Sequence, residues 1–186
     1  MIGSHNTFTY LSPKSKIFGG FKWLWRCQDK SFDEQYKLGV RFFDIRVFRE
    51  SEYCWRVAHG LVNFKLFFID LTSISNYISQ NYPDAIFRLI LEKGSAEDEI
   101  KFKESLKNLK SKNVYRVIVK KGWKVLYLRN GLVLEIIDFT YTPGKSFWYN
   151  LVHFKFNTIK HNSKSNPTIT KEMVEDKNVV YFMDYV

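Results

Sequence analysis

The sequence predicts an α/β protein, a reduced or distorted TIM (β/α) barrel that forms a single domain over residues 1–186 and has a strand-rich second half. Strand and helix patterns alternate through the first half, which is typical of a parallel sheet, whereas the second half has many short strand patterns and few helices. With 186 residues, the chain is shorter than a regular eight-fold barrel normally requires, so a reduced barrel fits better.

Four segments rich in β-branched and aromatic residues predict the strands of the first half. They are residues 2–10, 40–48, 53–58 and 85–92. The first strand runs into a loop that carries His5. The second strand ends in a charged turn at residues 49–52 and is expected to pair with the third.

Capping residues and apolar periodicity predict three helices, at residues 31–37, 70–82 and 95–111. Ser31 is a good N-cap with Glu34 three residues further on, and the second helix stops before Pro83. Ser95 is the expected N-cap of the third helix, where acidic residues suit the positive end of the helix dipole. The residues of the third helix expected to face the core are Ile100, Leu106 and Leu109.

Short strands joined by turns are predicted for the second half, where Asn130-Gly131 is a strong signal for a tight hairpin. The predicted strands are residues 114–120, 123–129, 132–140, 152–157 and 179–186. A polar loop at 160–166 and one or two helical turns at 170–175 precede the last strand. In a closed barrel the first and last strands are neighbours, so His5 should lie close to Asp184.

A formal net charge of +10 and a pI near 9.5 favour anionic partners: nucleic acid, an anionic membrane or a phosphorylated small molecule. The lysines are spread along the chain, which argues against a dedicated nucleic-acid-binding arm. Cys27 and Cys54 lack metal-ligand spacing, so the sequence predicts no metal site. It shows no signal-peptide pattern and no apolar segment of membrane-spanning length, so we expect a cytoplasmic or host-cell location. It indicates no oligomeric state.

Three motifs at predicted strand ends provide the groups needed to cleave a phosphodiester without a metal. They are Gly3-Ser4-His5-Asn6-Thr7, Gly39-Val40-Arg41-Phe42-Phe43-Asp44-Ile45-Arg46 and His59-Gly60. One imidazole can take a proton from a nucleophile, the other can donate a proton to the leaving oxygen, and a guanidinium can hold the phosphate. Asp44 and Arg46 are two residues apart on a strand, so both can face one pocket.

In this order, the motifs resemble the X domain of phosphatidylinositol-specific phospholipase C. The resemblance covers residues 2–60, continues more loosely through the strand at 87–92, and ends at Asp184-Tyr185. Residues 94–175 carry no motif of the family. Gln28, Ser31 and Gln35, between the first two motifs, and Gly39, at the start of the second, also match the family.

The resemblance implies a distorted (β/α) barrel with its site at the C-terminal ends of the strands. His5 would be the general base that deprotonates the inositol 2-hydroxyl, and His59 the general acid that protonates the leaving diacylglycerol oxygen. Arg46 would take the place of a catalytic calcium ion, as in bacterial members. Asp184 would orient and charge the base, and Asp44 would be a further carboxylate in the site.

Two candidate substrate-binding residues, Asn6 and Glu92, depart from the bacterial pattern, and Lys93 is the third candidate. Metal-independent bacterial members carry Asp at the position of Asn6, whereas calcium-using members carry Asn and also place a carboxylate where Glu92 stands. Arg46, however, stands where those members need an acidic ligand. We therefore expect no cofactor, with calcium as the alternative. No acidic residue is evident beside His59.

The expected function is cleavage of phosphatidylinositol, or another anionic phosphodiester, to a cyclic phosphate. Two alternatives remain open. The same groups suit RNA, whose 2′-hydroxyl is an internal nucleophile, although no RNA-binding motif is recognisable. The chain could also be a barrel that has lost turnover and binds a phosphorylated headgroup. Aromatic and basic residues at 18–25 suit either a peripheral contact with an anionic membrane or the filling of the barrel rim.

Overall fold

The computed structural model describes residues 1–107, 109, 114–116, 125–127, 133–138, 166–175 and 177–184. For residues 23, 24, 114–116, 125–127 and 133–138 it describes the backbone alone. The predicted strand at 152–157 and nearly all of the predicted loop at 160–166 lie outside the described residues.

The described residues form nine strands, five α-helices and one 3₁₀-helix. The strands are β1 (Ile2–Ser4), β2 (Val40–Ser51), β3 (Cys54–His59), β4 (Val62–Phe68), β5 (Ile86–Leu91), β6 (Val114–Arg116), β7 (Val125–Tyr127), β8 (Val133–Asp138) and β9 (Val179–Met183). The α-helices are α1 (Lys22–Trp25), α2 (Phe32–Lys37), α3 (Leu71–Asn81), α4 (Ala96–Lys107) and α5 (Lys171–Glu175), and the 3₁₀-helix is Lys16–Phe21.

Six parallel strands form the central sheet in the order β8-β9-β1-β2-β5-β6, and β7 adds to β8 in the antiparallel direction. The parallel sheet and the pairing of the first strand with the last, with Ile2 opposite Tyr181, are both as predicted. β6 and β7 do not pair with each other in the described part of the chain, so the sheet that the described residues form is open. Closure into a barrel stays a prediction.

The long strand β2 organises the site. Along one edge, residues 42–47 pair with β5. The other edge is shared, because β1 pairs with residues 40–43 from one end and β3 pairs with residues 47–51 from the other. The C-terminal ends of β1 and β3 therefore approach each other beside residues 44–46, and His5 and His59 are located at these two ends.

The hairpin of β3 and β4 interrupts the predicted alternation of strands and helices. The prediction of β3 is confirmed, with its end shifted to His59, but β4 was not predicted. Its buried Val62 and Phe64 alternate with less buried Asn63 and Lys65, which is the pattern of a strand with one face in the core.

Other predicted boundaries change where local hydrogen bonds compete with the strand. β1 ends at Ser4 instead of continuing to residue 10, because the backbone turns at Asn6 (φ 47°) and the Thr9 N–H donates to the Asn6 carbonyl. The capping box of Ser31 and Glu34 is present, as predicted.

The third predicted helix is present, but it ends at Lys107 instead of residue 111, and one of its predicted core residues is wrong. Ile100 is 55% exposed, whereas Phe102, Leu106 and Leu109 are buried. Phe102 and Leu106 are four positions apart on one face of the helix, Ile100 falls outside that face, and Leu109 lies beyond the end of the helix.

Alternation along β2 separates the core from the site. Phe43, Ile45 and Val47 are fully buried in the main hydrophobic cluster, while Asp44 and Arg46 face the opposite side, where they contact polar groups.

Candidate active site

His5, near the start of the chain, is held by two residues at the end of β9. Its backbone N–H donates to the carbonyl of Met183 (2.9 Å), and its Nδ1 lies 2.6 Å from Oδ1 of Asp184. Asp184 is 1% exposed and follows β9 directly. Because a carboxylate accepts hydrogen bonds, Nδ1 carries the ring proton and Nε2 of the neutral imidazole keeps its lone pair.

Two donors converge on that lone pair. Nη2 of Arg46 and Nδ2 of Asn6 each lie 2.9 Å from Nε2 of His5. A guanidinium has no acceptor, so the contact with Arg46 requires an unprotonated Nε2. The base predicted from sequence is thus a neutral imidazole whose free nitrogen faces a cation.

Arg46 lies between two carboxylates. Its Nε donates to Asp44 Oδ2 (3.1 Å), and its Nη1 donates to Glu92 Oε2 (3.1 Å). Burial alone would lower the pKa of Arg46, but Asp44 and Glu92 raise it above its ordinary value. The guanidinium is therefore a permanent charge that contacts His5.

Arg88 is a site residue that the sequence analysis missed. Its Nε donates to Asp44 Oδ1 (2.8 Å), and its guanidinium lies 4.6 Å from the ring centroid of Phe182. Burial would raise the pKa of Asp44, but Arg88 and Arg46 together hold it well below its ordinary value. The signal for Arg88 is a single charge inside the otherwise apolar strand Ile86–Leu91. Breaking a buried pair of this kind typically costs about 3–5 kcal/mol.

His59 faces His5 across the site. The two ring centroids are 6.3 Å apart and the ring planes are nearly perpendicular. His59 Nδ1 donates to the backbone carbonyl of Trp25 (2.7 Å), so this carbonyl holds the ring where no acidic partner was evident in the sequence. Burial, followed by the positive charge of Arg46, lowers the pKa of His59 to about 4. In the unliganded site His59 is therefore neutral near pH 7.

The remaining predicted residues divide into two groups. Glu92 belongs to the network, since its Oε1 accepts the backbone N–H of Gly60 (2.7 Å), next to His59. Lys93 lies outside it: its Nζ donates to Asn63 Oδ1 (2.6 Å) and lies 4.5 Å from the ring centroid of Phe48. The structure thus brings together His5, Asn6, Asp44, Arg46, His59, Glu92 and Asp184.

Apolar side chains of β9 pack against His5 and Gly3. The ring of Phe182 is 5.3 Å from the ring of His5. Gly3 leaves room for this packing, because a Cβ atom there would be 2.6 Å from Cγ1 of Val180 and 3.0 Å from Cδ2 of Phe182. The glycine of the first motif is thus explained by the close approach of β1 and β9.

Solved structures of known enzymes share this architecture. A variant of the phosphatidylinositol-specific phospholipase C from Staphylococcus aureus matches with a TM-score of 0.64 and 18% identity, over 100% of this chain and 84% of that chain. A second structure of that enzyme, concerned with its membrane binding, matches with a TM-score of 0.61 and 17% identity over 100% and 85%. The enzyme from Listeria monocytogenes matches with a TM-score of 0.52 and 15% identity over 100% and 87%.

The chain has a phosphatidylinositol-specific phospholipase C-like fold. At this level of identity the likeness establishes the fold. A scan of protein-family models finds no match, and a search of curated proteins finds none either.

The electrostatics of His59 give a direct test of the site geometry. We expect the imidazole of His59 to titrate near pH 4, and replacement of Arg46 by methionine to raise its pKa, because a neighbouring positive charge disfavours the imidazolium. Histidine NMR signals followed against pH measure both values. Since the unfolded chain binds this proton at higher pH, His59 also reduces the free energy of unfolding as the pH falls from 6.5 towards 4.

The matched control is Arg41→Met, because Arg41 pairs with Asp84 and Tyr36 instead of with the site. This change should leave the titration of His59 where it is in the wild type. A wild-type His59 that titrates near 6.5 would contradict the burial and the charges described for the site.

Proposed function

We propose that the protein is a metal-independent phosphodiesterase of the phosphatidylinositol-specific phospholipase C type. It would cleave phosphatidylinositol, or a related phosphodiester with a neighbouring hydroxyl, to a cyclic phosphate. One observation carries the proposal: the rings of His5 and His59 lie 6.3 Å apart between centroids, and the guanidinium of Arg46 contacts Nε2 of His5.

His5 would be the general base. Its Nε2 accepts the proton of the attacking hydroxyl, and the oxygen then attacks phosphorus. The Asp184 carboxylate stabilises the imidazolium that forms, because its Oδ1 accepts the hydrogen bond from Nδ1 of His5 (2.6 Å between the two atoms) and the carboxylate is excluded from water.

Arg46 would bind the phosphate. In the unliganded site its Nη2 donates to His5, and a phosphodiester oxygen is a stronger acceptor for the same N–H group. When the substrate takes this hydrogen bond and the Asn6 amide turns aside, Nε2 of His5 becomes free to accept the hydroxyl proton. Substrate binding would thus activate the base.

His59 would be the general acid. Its neutral state in the unliganded site reflects burial and the neighbouring positive charge of Arg46, which disfavours a second positive charge. A bound phosphodiester anion has the opposite effect, because it favours the imidazolium. The bound substrate would therefore raise the pKa of His59, and the ring would take up a proton from solvent.

The position of Arg46 also favours this chemistry over the calcium alternative. A calcium ion held by Asn6, Asp44 and Glu92 would need the space between these side chains. The guanidinium of Arg46 occupies that space, with ion pairs to Asp44 and Glu92 at 3.1 Å.

An anionic membrane surface is the proposed setting of the substrate. Ile17 and Phe21 of the 3₁₀-helix are 75% and 48% exposed, and Leu61 after His59 is 72% exposed. Exposed Lys16 and Lys22 accompany them, which suits an interface of apolar and basic side chains. Trp25 does not contribute, since it is buried and packs against Phe64. No helix in the described part of the chain has the length and hydrophobicity to span a bilayer.

The direct test is turnover of phosphatidylinositol vesicles in the presence of a chelator. We expect a cyclic inositol phosphate, detected by ³¹P NMR, and a loss of about 10²–10⁴-fold in rate for His5→Ala. Arg41→Met is the matched control for Arg46→Met, and only the latter should abolish turnover. Activity that appears only with added calcium would contradict the role of Arg46. Cleavage of RNA instead of lipid would support the same acid–base chemistry on another substrate. Binding of inositol phosphates without turnover would support the alternative of a barrel that has lost its activity and binds a phosphorylated headgroup.

The two histidines are distinguished by a substrate with an activated leaving group. An aryl ester of inositol phosphate leaves without protonation, so it should restore most of the activity of His59→Ala and none of the activity of His5→Ala. Release of the chromophoric aryl alcohol measures both. Equal rescue of the two variants would contradict the assigned roles.

A further inference from the structure

A third side chain with metal-binding chemistry lies against the His5–Asp184 pair. Cys27 is 5% exposed, and its backbone N–H donates to Oγ1 of Thr9 (3.0 Å). A nitrogen of His5, the sulfur of Cys27 and a carboxylate oxygen of Asp184 all lie within 4.8 Å of one another. Among the described residues, this is the one group of three such side chains. Its members are far apart in sequence, so ligand spacing could not predict it.

We propose that His5, Cys27 and Asp184 form a binding site for zinc, and that zinc bound there disables the base. The donor set of imidazole nitrogen, thiolate sulfur and carboxylate oxygen is one that zinc accepts, whereas calcium and magnesium prefer oxygen. Zinc bonds of about 2.0–2.3 Å place tetrahedral donors about 3.3–3.8 Å apart. The three donor atoms reach that spacing by small side-chain rotations, in which Nδ1 of His5 and Oδ1 of Asp184 separate from 2.6 Å.

The charges of the occupied site balance. One zinc ion, the Cys27 thiolate and the Asp184 carboxylate sum to zero, so the buried cluster carries no net charge. The thiol proton is released to solvent. The metal replaces the proton on Nδ1 of His5, and the ring takes up a proton on Nε2, so binding releases one proton in total. Because a protonated Nε2 cannot accept from a guanidinium, Nη2 of Arg46 gives up its contact with His5 in the zinc-bound site.

The side chain of Asn6 is an independent observation that points to the same site. Asn6 is 3% exposed, and its Oδ1 has no hydrogen-bond partner in the described structure. Its Nδ2 lies 2.9 Å from Nε2 of His5 and 3.5 Å from Sγ of Cys27. A half-turn of the amide exchanges the two atoms, so Oδ1 can accept the new Nε2–H. Metal-bound histidines usually donate their other ring N–H to such an acceptor.

Zinc would thus convert Nε2 of His5 from an acceptor into a donor. A histidine in this form cannot accept the proton of an attacking hydroxyl, so zinc would inhibit turnover. The inhibition rests on the proposed function, whereas the metal site does not.

Cobalt(II) is the spectroscopic probe for the site. We expect the full chain to bind one equivalent of Co²⁺, with a thiolate-to-cobalt charge-transfer band in the near ultraviolet and the visible bands of tetrahedral cobalt. Zinc should displace the cobalt and abolish both. Cys27→Ser should lose the charge-transfer band and bind zinc at least about tenfold more weakly. Cys54→Ser is the matched control and should behave as the wild type, because the Cys54 thiol contacts Glu50 instead.

A charge-transfer band that survives in Cys27→Ser, or that disappears in Cys54→Ser, would overturn the assignment.

If Cys27→Ser does not fold, X-ray absorption at the zinc edge of the wild type tests the assignment instead. One sulfur neighbour beside nitrogen and oxygen supports the site, and nitrogen and oxygen alone refute it. A wild type that binds zinc through sulfur but cleaves no phosphodiester would refute only the proposed function, whereas one that cleaves lipid without any sulfur–metal contact would refute only the metal site.

Discussion

The hydrogen bond between His5 Nδ1 and the Asp184 carboxylate is the constraint on which the site depends. It joins residues 179 positions apart in the chain and follows directly from the parallel pairing of β1 with β9. Because Asp184 is almost fully buried, its unpaired charge would be costly, and the imidazole is its partner. The same bond fixes which nitrogen of His5 carries the proton, so the topology of the sheet determines the chemistry available at Nε2.

Charge balance around Asp44 is the second condition for this chemistry. Asp44 is fully buried and binds Arg46 through one oxygen and Arg88 through the other. Arg88 neutralises part of the negative charge that Arg46 would otherwise have to balance alone. Arg46 therefore keeps an N–H group that donates to His5 in the unliganded site. Under the proposed function, the same N–H group would donate to the phosphate of the substrate. Arg88 holds the Asp44 carboxylate in place, and Arg46 can exchange partners.

Local patterns predicted those parts of the fold that local interactions determine. The capping box at Ser31 and the strand at β2 depend on neighbours in sequence, and both are present. The convergence of His5, Arg46 and Asp184 was expected because parallel strands place their C-terminal ends at one edge. The Trp25 carbonyl beside His59 could not be predicted, since any residue type offers a carbonyl and only the folded chain selects one.

The protonation of His5 in the unliganded protein tests the central claim most directly. Nitrogen-15 NMR of the imidazole distinguishes the two ring nitrogens and shows which one carries the proton. We expect a protonated Nδ1 and an unprotonated Nε2 near neutral pH in the wild type, and loss of this preference in Asp184→Asn, where the amide can also donate to Nδ1. A proton on Nε2 of the neutral ring in the wild type would contradict the account, because Nε2 could then accept neither the Arg46 N–H nor a substrate proton.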